Sequence, residues 1–246
     1  IDKFKISFNH GLRSRRHVIK AILFDIDGTI MNCQRAAGMA LVLATKEVFG
    51  TIGRMERVSF HGKTDPLILR ESLLGMGFEP ENVQRKIPAL KQKYFSHLDT
   101  LLKTEECRLM PGVESLITRL REEKDLLLGL LTGNFTESAR IKLDRFCLFS
   151  QFSFGVYGDD AEIRNGLPPV ARKRIREIHG IDIPFSRMII IGDTVYDVQC
   201  AKFSGAVSIA VGTGWVPHDD LLQEKPDYFF RDLSDVDHVL EVIRSI

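Results

Sequence analysis

Five short apolar runs, each stopped abruptly by a polar residue or a glycine, constrain this chain more than any other feature. Residues 21–24, 126–131, 188–191 and 207–211 are dominated by aliphatic side chains and Phe, and 228–230 is a weaker fifth run. Runs this short and this apolar match strands buried on both faces, the pattern of a parallel sheet covered on each side. Helical periodicity fills the intervals, over residues 113–123, 136–146, 168–179, 196–204 and 234–243. Strands alternating with helices predict an α/β fold, a Rossmann-like, doubly wound parallel sheet.

One interval breaks the alternation. Between Cys33 and Cys107 no strand is legible, only helical segments at 36–49, 66–74 and 81–102. A structureless loop of that length is uncommon inside a domain, so an inserted helical unit is predicted. The division that follows is residues 1–32 with 108–246 as the α/β core and 33–107 as the insertion. The chain re-enters the core at Pro111-Gly112, with Pro111 near the start of the next helix.

Charge and cysteine usage narrow the function classes. Lys plus Arg number 34 against 33 Asp plus Glu, so the basic excess of a nucleic-acid-binding domain is missing. No apolar run approaches the roughly 20 residues needed to cross a bilayer, and no membrane partner is expected. Cys33, Cys107, Cys147 and Cys200 form no CxxC pair. A chain of this size does not depend on disulfides, so free thiols in a reducing compartment are expected. The stretch holding Arg13, Arg15, Arg16 and His17 is not followed by an apolar segment, so it does not read as a secretory signal, and a cytoplasmic protein is expected. Residues 1–20 themselves read equally as a tag remnant, an arm or an extra strand.

The chemistry lies at the strand ends, where open parallel sheets bind ligands. The first strand runs into Asp25-Ile26-Asp27-Gly28-Thr29. Strand alternation puts Asp25 and Asp27 on one side, where two carboxylates repel unless a positive charge lies between them. Mg²⁺, which favours oxygen ligands, is the simplest solution. The second strand ends in Thr132-Gly133-Asn134 just before a helix, the makings of an anion site. The third ends in Gly192-Asp193-Thr194, with Asp197 one helical turn beyond Asp193. Each taken singly fits a helix cap as well; together they gather acids, hydroxyls and an amide at one sheet edge.

The motifs FDIDGT, LLTGN and IIGDTxxD, in this order, resemble those of the haloacid dehalogenase superfamily of Asp-nucleophile phosphohydrolases, over residues 20 to about 232. The resemblance implies that the insertion is an α-helical cap. Gly62-Lys63-Thr64-Asp65-Pro66 and Val211-Gly212-Thr213-Gly214 look like those of phosphoglycolate phosphatase-type members. It further implies that Asp25 attacks phosphorus, that Asp27 serves as acid and then base, and that Thr132, Gly133 and Asn134 bind the phosphoryl oxygens. Asp25, the backbone carbonyl of Asp27, and Asp193 would hold Mg²⁺, with Asp197 assisting directly or through a neighbour. An acid at Asp27 points to phosphate rather than halide chemistry. Many relatives carry a Lys-Pro pair between the second and third motifs; this chain does not, and Arg164 is the expected substitute, with Arg172 and Lys173 as competitors.

In the cap, Lys63, aided by His61, would pair with a substrate carboxylate or else belong to a turn. Residues 31–34 and 109–112 would be the hinges of cap motion. Trp215 would pack on the domain or line the entrance, and Phe146, Phe149, Phe152 and Phe154 read as core. The expected function is a Mg²⁺-dependent phosphatase acting on a small phosphomonoester, 2-phosphoglycolate first, as a monomer or homodimer. A sugar-phosphate mutase of the same fold and a non-catalytic phosphoacceptor or scaffold are the alternatives.

Overall fold

The computed structural model describes residues 19–33 and 35–246, so the readings of residues 1–18 and of Gln34 lie outside the described residues. In chain order the elements are β1 (Lys20–Phe24), β2 (Met31–Asn32), α1 (Ala36–Phe49), α2 (Asp65–Leu74), α3 (Pro80–Leu101), β3 (Arg108–Leu109), α4 (Val113–Glu122), β4 (Leu126–Leu131) and α5 (Thr136–Asp144). There follow β5 (Phe154–Val156), α6 (Leu167–His179), β6 (Met188–Gly192), α7 (Val195–Ser204), β7 (Val207–Val211), α8 (His218–Gln223), β8 (Tyr228–Phe230) and α9 (Val236–Ser245).

The α/β fold expected from the apolar runs is present. Six strands form one sheet in the order β5-β4-β1-β6-β7-β8, every pair parallel. β1 lies at the centre, with Leu23 opposite Gly129 of β4 and Ile190 of β6. Alternation along β1 feeds two cores. Ile22 and Phe24 pack with Leu116 and Leu120 of α4, Leu143 of α5 and Leu240 of α9. Ala21 and Leu23 pack on the other face with Leu167 and Ile175 of α6 and Ala201 of α7. The chain therefore winds outward from β1 in both directions, and the strand order reverses beside the strand that carries Asp25, the place where such sheets bind ligands.

Among the described residues between β2 and β3 the elements are α1, α2, α3 and a short 3₁₀ turn at Met55–Arg57. Leu41, Leu90, Tyr94 and Leu98 are fully buried in this segment, and its apolar cluster is continuous with one face of the sheet. Tyr94 and Phe95 of α3 meet Phe135 edge-on beside α5, joining the helical segment to the sheet end. The short strands escaped the sequence reading because two or three residues are too few to show a period: β2, β3 and β5 fall in this class, as does the six-residue α8. Phe152 and Phe154 are buried, and Phe146 and Phe149 pack against the core, as expected of them.

The expectation of four free thiols is corrected. β2 and β3 pair antiparallel, Met31 opposite Leu109 and Asn32 opposite Arg108, and Cys33 and Cys107 take the next rung as a disulfide with Cα atoms 4.1 Å apart. Their 74-residue separation hid a contact that the ribbon creates. Cys147, exposed, and Cys200, buried, are the free thiols. Denatured without reductant, the chain is expected to show two reactive thiols, and four after reduction. Cys107→Ser is expected to lower stability by about 2–4 kcal/mol through release of the closed loop in the unfolded state. Four thiols before reduction would contradict the bond.

Candidate active site

The end of β1 delivers Asp25 to the bottom of a cavity of about 500 Å³. Its backbone N–H donates to Ile191 O at 2.9 Å, extending the β1–β6 ladder by one residue and fixing the carboxylate at the sheet edge. Asp25, Asp193 and Asp197 are all buried, and each places an oxygen within 4.8 Å of the others. Gly28 holds this arrangement open. Its φ is +86°, and a Cβ there would stand 2.4 Å from Asp193 Oδ2. Thr29 Oγ1 donates to Asp193 Oδ1 at 2.9 Å, and Thr213, from the second glycine-flanked motif, donates to Gly28 O at 2.6 Å.

Arg164 supplies the positive charge inside this cluster. It opens the 3₁₀ turn Arg164–Gly166 ahead of α6 and is buried, with Nη2 2.9 Å from Asp25 Oδ1 and 2.5 Å from Asp197 Oδ1. The same guanidinium donates to Gly62 O and Leu131 O, while its Nε–H is buried without an acceptor in the protein. Burial works against its charge, and Asp197 and Asp25 outweigh that, holding the guanidinium above its ordinary range. The competitors point elsewhere: Arg172 pairs with Asp182 and Lys173 lies near Glu177, both on the outer side of α6. Asp197 is fully engaged. Its Oδ2 accepts from Thr194 N and Oγ1 in a capping box that starts α7, and its Oδ1 accepts from Arg164.

Asp27 is turned away from this trio. Its side chain is half-exposed, and both oxygens accept from Lys142 Nζ, at 2.8 and 2.7 Å. Lys142 is itself 1% exposed and also donates to Asn134 Oδ1 at 2.6 Å. Asn134 Nδ2 completes the group, donating to Asp27 Oδ2 and Thr132 Oγ1, each at 2.7 Å. Sequence reasoning missed Lys142. The signal was there: it shares the inner face of α5 with Ser138, Ala139 and Leu143, and a lysine on a core-facing stripe needs a partner.

The helical segment closes over the β4 end. A Cβ on Gly133 would stand 2.2 Å from Lys63 O, so only glycine admits this approach. Asp65 N donates to Gly133 O, and Phe135 N donates to Asp65 Oδ2, each at 2.8 Å. Burial pushes Asp65 up to about 6. Lys63 borders the cavity, but its ammonium rests on Glu71 at 2.5 Å within the same segment. His61 faces Trp215 across the mouth, with ring centroids 6.3 Å apart.

The charge balance tests whether a dication fits. Asp25, Asp27, Asp193 and Asp197 stand against Arg164 and Lys142, so acids exceed cations. Burial pushes Asp25 up to about 6 even with Arg164 opposing it, and burial with the charges of Asp25 and Asp197 drives Asp193 well above the usual range. Two buried oxygen donors short of positive charge suit a hard cation such as Mg²⁺. Asp25 and Asp193 would hold it by their side chains and Asp27 only by its main chain. Raised folded-state values mean that the metal-free fold keeps protons the unfolded chain releases. The contribution of these buried acids to stability therefore falls as pH rises from about 4 through 6. Mg²⁺ competes with those protons, so the thermal midpoint gained on adding it is expected to be larger at pH 8 than at pH 5. Equal gains would sink this assignment.

Comparison with known proteins agrees with the geometry. The chain is 27% identical over 216 residues to a putative pyrophosphatase PpaX of Caldanaerobacter subterraneus subsp. tengcongensis, covering 87% of this chain and 91% of that one. It is 28% identical over 239 residues to a phosphoglycolate phosphatase of Shigella boydii, covering 89% and 91%. The crystal structure of a predicted phosphatase from Clostridium acetobutylicum superposes with a TM-score of 0.69 at 18% identity, covering 91% and 99%, and shares the fold. The model of the haloacid dehalogenase-like hydrolases matches residues 22–211, a span that contains Asp25, Thr132, Arg164 and Asp193, and the chain belongs to that family.

Proposed function

We propose that this protein is a Mg²⁺-dependent phosphatase that hydrolyses a small phosphomonoester through a phosphorylated Asp25. The observation that carries the reading is Asp25 itself: buried at the cavity floor, ion-paired by Arg164, and set beside Asp193 in a cluster short of positive charge. Residues 33–107 act as the cap and residues 1–32 with 108–246 as the catalytic core.

In the first step an Asp25 oxygen attacks phosphorus while the ester P–O bond breaks, and Asp27 gives its proton to the departing alkoxide. In the second, Asp27 takes a proton from water, the water oxygen bonds to phosphorus, and the bond to Asp25 breaks to release inorganic phosphate. Mg²⁺, when bound, neutralises the charge of the nucleophile and the phosphoryl oxygens. Arg164 holds the Asp25 carboxylate, and its buried Nε–H has no acceptor in the protein. Thr132, Gly133 and Asn134 form the wall that receives the phosphoryl oxygens. Lys142 keeps Asp27 and Asn134 in register with each other. Positioning and charge stabilisation dominate phosphoryl transfer, so this sparse set suffices.

The test is release of inorganic phosphate from 2-phosphoglycolate, pyrophosphate and a panel of sugar and nucleotide monophosphates. Turnover with Mg²⁺ is expected, with loss in EDTA and a drop of about 10³-fold or more in Asp25→Asn. Phosphate retained on a bisphosphate product would instead indicate transfer between sugars. Lys142→Met is expected to lower kcat by roughly 10–100-fold, the scale of a misplaced catalytic group, while the thermal midpoint moves little because Asp27 stays half-solvated. A large loss of stability with wild-type turnover would contradict the role given to Lys142.

A further inference from the structure

The cavity above Asp25 is far larger than a two-carbon acid requires, and its walls are of two kinds. Its floor is the polar group around Asp25, Thr132, Arg164 and Asp193. Much of the remainder is apolar, from Met39, Leu41 and Val42 of α1, Phe60 and Ile68 of the helical segment, and Trp215 of the core. Met39 is 47% exposed and Trp215 64%, large side chains left in water at the rim of a site. A cavity of about 500 Å³ lies in the range of sites that enclose an organic ligand.

The cations bordering the cavity argue in the same direction. Lys63 is on Glu71, Lys142 is on Asp27 and Asn134, and Arg164 is on Asp25 and Asp197. Arg35 is exposed at the start of α1, where solvent screens its charge. His61 is exposed at the rim beside Trp215, with its ring in solvent. A substrate carboxylate entering the cavity would have to take Lys63 from Glu71, and an apolar group would meet Phe60, Val42 and Trp215 with no such cost.

We propose that the site selects phosphomonoesters whose leaving group carries an apolar body, in preference to compact anionic esters such as 2-phosphoglycolate. This rests on the hydrolase reading above and adds to it the chemical class of the leaving group. Phe60 and Trp215 are the specificity-determining residues: both line the cavity, one from the helical segment and one from the core, and an alkyl or aryl group packed on them is removed from water.

The experiment uses the full chain with Mg²⁺ and compares kcat/KM along the n-alkyl phosphates from methyl to hexyl. Isobutyl phosphate is added as the neutral shape match of 2-phosphoglycolate. The expected result is a rise of about two- to fourfold per methylene, the range set by partial to full burial of each group. Isobutyl phosphate is expected to be hydrolysed at least as efficiently as 2-phosphoglycolate. Trp215→Ala and Phe60→Ala are expected to flatten the rise, acting more on hexyl than on methyl phosphate. A flat series, or 2-phosphoglycolate exceeding isobutyl phosphate by tenfold or more, overturns this inference while leaving the hydrolase reading intact, provided the activity is lost in Asp25→Asn. Absence of phosphate release from every ester overturns both.

Discussion

A buried carboxylate needs a partner, and the rest of this site follows from how Asp25 is given one. Arg164 reaches it from the turn that leads into α6, and can do so because Asp197 and two backbone carbonyls fix the guanidinium from other directions. Asp197 is in turn fixed by the cap that starts α7. Charge pairing, helix initiation and the docking of Gly62 thus meet at one side chain. Breaking a buried pair of this kind by deleting one partner leaves an uncompensated charge, which is why such arrangements behave as units.

The second polar group, Asp27 with Lys142 and Asn134, is a separate unit a few residues away. The DxD spacing suggested two acids sharing one cation. The fold instead divides them: Asp25 goes to Arg164 and Asp27 to Lys142. That separation leaves the first acid buried and the second half-solvated, so the two carboxylates sit in different environments.

Much of the sheet was legible because uniformly apolar runs ending in Gly or Asp admit few structures other than central parallel strands. The helices were legible from periodicity, and α1 agrees in both its bounds with the expected 36–49. Arg164 was reachable from its place ahead of a helix. What stayed hidden depended on long-range geometry. Lys142 lay in a segment read only as a helix, Lys63 was sought by a substrate acid while Glu71, two turns along the same segment, already held it, and Cys33 found Cys107 through a two-residue ribbon too short to read. Pairings of this kind are set by where elements come to rest, which local pattern does not encode.

The ribbon has a mechanical consequence. The chain passes from core to helical segment and back at β2 and β3, and these crossings are tied to each other by backbone pairing and by the disulfide. Two separate tethers would let the helical segment splay, twist and slide. Tied together they act as one strap, so both crossings join the helical segment to the core at a single place.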